Sequence, residues 1–382
     1  MSKVHPTKKL LMIPGPTNVS DRVMRAMVKP MISHKSEEFH ELLASITEKG
    51  KGLFQTKENL LTLTASGTGG VEAMVFALVR PGDNVVVPLY GDFSQRLVEA
   101  LEIAGANVVK VTAEAGRIPS LEAVEDAIRK TEKLRAVYTV HNETSTGCAI
   151  TYLKDLAEAA HARGAFMVVD GVSSIGGYSV PVDDWGIDMC VTASQKCIAA
   201  PPGVVLVAFN KKVEEFVKKT PPAVRYFDLA KHLEFLEHGF TAFTPAVSLF
   251  YAVEEALAEL EEETLQKRVA RHADCARQLY SWIESAGLSG LAEKECRSNT
   301  VITISYPKGV EDERFRKVLD EDHYVVTTGG FGPLKGKILR VGSMGNVTAA
   351  DIKRTTDAIS ATFSALGHPI DSRAPGVVSR TR

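Results

Sequence analysis

Residues 59–79, "NLLTLTASGTGGVEAMVFALV", read as a strand, a turn and a helix in succession. "NLLTLTA" is a short run of leucine and threonine, "TASGTGG" (64–70) is small and glycine-rich, and "GGVEAMVFALV" carries apolar side chains at helical spacing. The alternation continues outward. Further strand candidates are "DNVVVPL", "ANVVKVT", "RAVYTV", "AFMVVD", "DMCVTAS" and "GVVLVAF", with amphipathic segments such as "FSQRLVEALEIAG" and "YLKDLAEAAHARG" between several of them. Near-continuous apolar strands alternating with helices predict an α/β fold with a mainly parallel, seven-stranded sheet between helices. Gly105 and Gly164 stand where two helices should stop.

Beyond about residue 245 the pattern changes. "AVSLFYAVEEALAELEEETLQKRVARHADCARQLYSWIESAG" keeps helical periodicity for longer than an ordinary globular helix and predicts two helices or one long bent one. The strands "NTVITISY", "YVVTTG" and "ILRVGSMG" then alternate with helical patterns, as in a smaller α+β domain. The expected division is an N-terminal segment (1–20), a large domain (21–255), a small C-terminal domain (256–368) and a loose tail (369–382).

The chain has 382 residues, 45% hydrophobic and 24% charged, and its 45 basic and 47 acidic side chains leave a net charge of −2. No basic excess speaks for nucleic acid or an anionic membrane. The five cysteines form no CxxC pair and no zinc-like spacing, so no metal site is expected and a reducing, cytoplasmic setting fits. The apolar run "LLMI" near the start is too short for a signal-peptide core, and no stretch approaches a membrane span.

Ligands of an open parallel sheet bind beyond the carboxyl ends of its strands, and three groups stand there. Ser66, Gly67 and Thr68 open a helix whose free N–H groups and dipole favour an anion such as phosphate; alone, this is also an ordinary capped helix. Asp170 closes "AFMVVD", a costly place for a carboxylate unless a cation meets it, although an Asp capping the next turn is equally ordinary. Lys196, in "TASQKCIAAPPG" (192–203), is the one charged residue of its stretch. Burial there lowers an amine's pKa and makes it a nucleophile, whereas a snorkelling lysine is the bland alternative. Together, a phosphate seat, a carboxylate for a pyridine nitrogen and a Schiff-base lysine are what pyridoxal 5′-phosphate needs.

"HNETSTG" (141–147), "VDGVSSIGG" (169–177), "SQKCIAAPPG" (194–203) and "LRVGSMG" (339–345) resemble the class V, fold type I, pyridoxal-phosphate-dependent aminotransferases, in the serine–pyruvate and alanine–glyoxylate branch. "KLLMIPGPTNV" is similar to that branch's substrate-side N-terminal segment, which implies a substrate contact at Gly15. The resemblance makes Lys196 and Asp170 catalytic and implies that Gln195 contacts the cofactor, Thr144 reaches its phenolic oxygen and Phe93 stacks on its ring. It likewise implies that Ser66, Gly67 and Thr68 form the phosphate loop, and that Arg340 holds the substrate carboxylate bidentately. In "FTAFTPAVS" (240–248), Thr244 matches a threonine given to the neighbouring subunit's phosphate; Phe240 and Thr241 stand where the family often has a tyrosine. A homodimer with shared sites is implied.

The resulting expectation is ping-pong transfer of an amino group from a small amino acid to a 2-oxo acid such as glyoxylate or pyruvate. Aspartate-type and 2-aminoethylphosphonate–pyruvate transaminases stay open as alternatives. A cysteine desulfurase usually carries a His before the lysine, where this chain has Gln195, and a nicotinamide dehydrogenase would need the GxGxxG that is missing.

Overall fold

A computed structural model describes residues 9–370. Seven strands form the main sheet: β1 (Asn59–Thr64), β2 (Asn84–Leu89), β3 (Asn107–Thr112), β4 (Leu134–Val140), β5 (Phe166–Asp170), β6 (Met189–Ala193) and β7 (Val204–Phe209). Their spatial order is β1-β7-β6-β5-β4-β2-β3. Only β7 runs against the others, pairing antiparallel with β1 and β6. The carboxyl ends of β1, β4, β5 and β6 therefore lie along one edge, with Val140 paired to Asp170 and Asp170 to Val191.

Two-residue periodicity divides each strand between two cores. Val137, Met167, Val169 and Cys190 face one side, while Tyr138, Val140, Val168 and Val191 face the other. Helices cover both, and among them α1 (Gly67–Leu78) and α2 (Asp92–Ile103) pack on the second. Gly105 and Gly164 follow their helices with φ of 87° and 69°, the left-handed geometry that lets a chain turn out of a helix.

The long periodic stretch is two helices, α3 (Val247–Glu263) and α4 (Leu265–Ser285). They part at Thr264, whose φ of 70° ends the first while its side chain accepts from Lys267 N to start the second. Val247, Phe250, Val253 and Leu260 of α3 pack in the first core of the sheet. Leu279 and Ile283 of α4 belong to another core, shared with Phe315, Val341 and Phe363. That core lies on a three-stranded antiparallel sheet of β8 (Val301–Ser305), β10 (Ile338–Gly342) and β9 (Thr328–Gly329), in that order. "YVVTTG" is thus divided: Val325–Val326 pair instead, in parallel, with Leu10–Leu11. That ladder draws the N-terminal segment onto the small sheet, and Gly342 N donates to Met12 O. The first eight residues and all but two of the tail lie outside the described residues.

Candidate active site

Lys196 follows the end of β6 by three residues, in a loop closed on itself. Ala199 N donates to Lys196 O at 3.0 Å and Ala200 N to Ser194 O at 2.9 Å, with Ala199 at a φ of +64°. Small side chains are what such a tight turn admits. The lysine is 9% exposed, and its Nζ donates to Pro14 O. A Cβ on Gly15, whose φ is +93°, would come within 2.7–2.9 Å of the Lys196 side chain, so glycine leaves the room that the lysine occupies. Burial pulls the amine from 10.5 down to about 8; Cys197 and Asp170 push it up, and Arg340 lowers it further.

Asp170 is as deeply buried, and burial raises its carboxyl to about 6 against the backbone hydrogen bond from Val172, which lowers it. Its Oδ1 accepts from Val172 N at 2.9 Å, so it caps the turn and lines the site at once. A cavity of about 390 Å³ joins Asp170 and Lys196 with Ser66, Gly67, Thr68, Phe93, Thr144 and Gln195. Ser66 caps α1 by accepting from Gly69 N. No described residue accepts from the N–H groups of Gly67 and Thr68, so they are available to an anion.

Arg340, on β10, is 4% exposed, and among the described residues it forms no ion pair. Its Nε donates to Gly329 O at 2.7 Å and Nη1 to Thr144 O at 3.1 Å. Burial lowers it from 12.5 to about 10, while Asp92 and Glu143 pull it up. A desolvated guanidinium without a carboxylate is a seat for an anion. Thr244 does not line the cavity; it is exposed, two residues before Ala246, whose N–H donates to Thr64 Oγ1 at the end of β1.

Other contributors were not singled out from sequence. Glu143, fully buried, accepts from Phe93 N, Ser94 N and Ser145 Oγ, and so fixes the start of α2 where Phe93 stands. Ser173 accepts from Thr144 Oγ1 and Asn142 Nδ2, both at 3.0 Å, which ties the β4 and β5 loops together. Arg268, on α4, is 2% exposed and donates to Cys197 O, bracing the lysine loop from behind. Glu143 and Asn142 fall within "HNETSTG", so a motif pointed near them; Arg268 had no local signal.

These residues fit pyridoxal 5′-phosphate by three observations: free N–H groups at a helix start, a buried amine beside a buried carboxylate, and a buried Gln195 Oε1 without a partner among the described residues. The model of the aminotransferase class-V family matches residues 14–353. The chain belongs to the class-V aminotransferases. That family is in general pyridoxal-phosphate-dependent. An uncharacterised aminotransferase of Methanocaldococcus jannaschii is 36% identical over 370 residues, covering 96% of both chains. Among solved structures, this class-V aminotransferase superposes on ureidoglycine–glyoxylate aminotransferase of Bacillus subtilis with a TM-score of 0.91, 30% identity and 97% of each chain covered. Alanine–glyoxylate aminotransferase from Nostoc sp. gives 0.90 and 29%, over 95% of this chain and 97% of that one. The fold is the type I architecture of these enzymes, and no helix among the described residues is long and apolar enough to cross a membrane.

Proposed function

We propose that this enzyme moves an amino group from a small amino acid, such as alanine or serine, to a 2-oxo acid such as glyoxylate or pyruvate, in two half-reactions of ping-pong type. The observation that carries the reading is Arg340: buried, without a carboxylate partner among the described residues, and bonded to the Thr144 carbonyl at the wall of the cavity that holds Lys196. Both substrates of such a transfer have a carboxylate beside the reacting carbon, so one planar guanidinium serves each in turn. Glyoxylate as acceptor is supported by the names of the two structural relatives.

Pyridoxal 5′-phosphate, when bound, supplies an electrophilic aldehyde and an electron-withdrawing ring. The cradle of Ser66, Gly67 and Thr68 would take its phosphate, Thr244 of a second copy would add a hydroxyl there, and Gln195 and Thr144 would contact the ring substituents. Phe93 offers the flat apolar face on one side. Asp170, whose carboxyl at about 6 is mostly ionised at neutral pH despite its burial, would keep the ring nitrogen protonated. Lys196 Nζ, with its pKa brought to about 8, can both release and take up a proton near neutrality, which is what moving hydrogen at the substrate's α-carbon requires. Pro14 O and Gly15 keep that amine oriented and give it space. All five cysteines are buried, which leaves no exposed thiol of the kind that receives sulfur in a desulfurase.

A panel of amino donors and 2-oxo acid acceptors, followed by the change in cofactor absorbance, tests the reading. Alanine or serine paired with glyoxylate or pyruvate should give turnover. Activity confined to 2-aminoethylphosphonate as donor would overturn it.

A further inference from the structure

One aromatic side chain touches both the arginine seat and Phe93, a wall residue of the cofactor cavity. Phe331 lies in "GGFGPLKGK" (329–337), the connection from β9 to β10. The connection folds back on itself: Leu334 N donates to Phe331 O at 2.8 Å and Lys335 N to Gly332 O at 3.1 Å. A Cβ at Gly330 would fall 2.3 Å from Leu334 O, so glycine is required for that closure. Arg340 fastens the loop twice. Its Nε donates to Gly329 O at 2.7 Å, and its Cζ lies 4.1 Å from the centre of the Phe331 ring. On the cavity side, Phe331 meets Phe93 edge-on, with ring centres 6.1 Å apart and an interplanar angle of 67°. Arg96 covers the pair, its Cζ 4.8 Å from the Phe93 ring and 5.5 Å from that of Phe331.

We propose that Phe331 is a specificity-determining and positioning residue: it limits the size of the substrate side chain and holds the Arg340 guanidinium in place. The inference rests on Arg340 as the carboxylate seat. A carboxylate binds a guanidinium in its plane. The guanidinium carbon of Arg340 sits over the ring, which resists displacement of the group towards it. Its Nε is held by Gly329 O and its Nη1 by Thr144 O, while Nη2 and the second Nη1 hydrogen have no acceptor among the described residues. A substrate with its carboxylate on Arg340 and its reacting carbon towards Lys196 has its remaining substituent bounded by Phe331 and Phe93. Each added methylene has to displace an aromatic pair that Arg96 and Arg340 both hold in place. Phe331 therefore favours short side chains, and its removal admits longer ones.

The test uses unbranched monocarboxylates from acetate to hexanoate, with dissociation constants on the cofactor-loaded protein measured by ligand-observed NMR. This readout does not depend on turnover. The wild type should bind hexanoate at least about tenfold more weakly than acetate, as a filled pocket rejects added methylenes. Phe331→Ala should bring the two close to equal, Phe331→Leu should fall between, and Phe331→Tyr, which keeps the ring, should behave as wild type. With alanine as donor, Phe331→Ala should raise KM and leave kcat within about twofold, a division that simple loss of folded enzyme does not produce. A wild-type acetate-to-hexanoate ratio retained in both Phe331→Ala and Phe331→Leu would overturn the role of Phe331 and leave Arg340 in place. Undiminished acetate binding by Arg340→Ala would instead remove the carboxylate seat, and this proposal with it.

Discussion

Lys196 and Asp170 are each held where their charged form is disfavoured, which is chemically useful and structurally expensive. The amine is drawn from 10.5 to about 8 and the carboxyl raised from 3.8 to about 6, in both cases chiefly by burial. Each shift corresponds to a cost on the order of 3 kcal/mol at pH 7, where the unfolded chain carries both charges in water. Replacing Lys196 by Met, or Asp170 by Asn, should accordingly raise the Tm of the cofactor-free protein at pH 7 while abolishing or crippling transfer. A fall in Tm for both would mean that the pair stabilises the fold. Arg340→Lys keeps the charge but loses the fork. It should cost about 1.5–3 kcal/mol in kcat/KM, the range for a hydrogen bond to a charged group, with the amino donor and the 2-oxo acid affected alike. An effect on only one substrate would show that the other places its carboxylate elsewhere.

At the scale of elements, the lysine loop is positioned by α4 as much as by β6. Arg268 bonds Cys197 O at 2.7 Å and Glu263 at 3.0 Å, and four residues on, His272 Nδ1 meets Arg268 O while its Nε2 accepts from Gly345 N. One helix thus joins the loop after Lys196 to the turn that follows β10 and its Arg340. Burial pushes His272 down to about 3, so it stays neutral and this link does not switch with pH in the neutral range. Arg268→Met should destabilise the fold by about 1–3 kcal/mol, since it leaves the buried Cys197 carbonyl without its donor, while Glu263 keeps both bonds from Arg271. Thermal or denaturant unfolding checks it; a change below about 1 kcal/mol would contradict the bracing role. What was legible in the sequence follows the same division. Asp170 and Lys196 could be read because each sits within three residues of a strand end, and strand ends show in local apolar periodicity. Arg268 and Phe331 could not, because their partners lie 71 residues away on Cys197 or across the site on Phe93. The split of "YVVTTG" was hidden for the same reason: its pairing partner is Leu10–Leu11, at the other end of the chain.

Over the whole molecule, the sheet edge and the core of the small sheet meet around the site. We propose that the change from the large to the small domain, expected at residues 255/256, falls at the break between α3 and α4, since Ala256, Leu257 and Leu260 still pack in the first core of the main sheet. Exposed Val28, Met31 and Ile103 support the further proposal of a homodimer, in which a second copy brings Thr244 to the phosphate cradle. Light scattering should give twice the chain mass; a monomer that still turns over would exclude shared sites. The two buried charges also set the pH response of the cofactor-free protein. Between about pH 4 and 6 the folded state keeps a proton on Asp170 that the unfolded chain has lost, so stability falls as pH rises. Between about pH 8 and 10.5 the folded state has released the Lys196 proton that the unfolded chain retains, so that contribution grows with pH. Denaturant midpoints of wild type and Lys196→Met should therefore converge towards pH 10.5.

The most direct measurement is covalent. Cofactor-loaded protein reduced with borohydride, digested and analysed by mass spectrometry should have the pyridoxyl mass on the peptide containing Lys196 and on no other. A label on a different lysine, or none at all after incubation with pyridoxal 5′-phosphate, would contradict the assignment of the reactive amine and the transfer chemistry built on it.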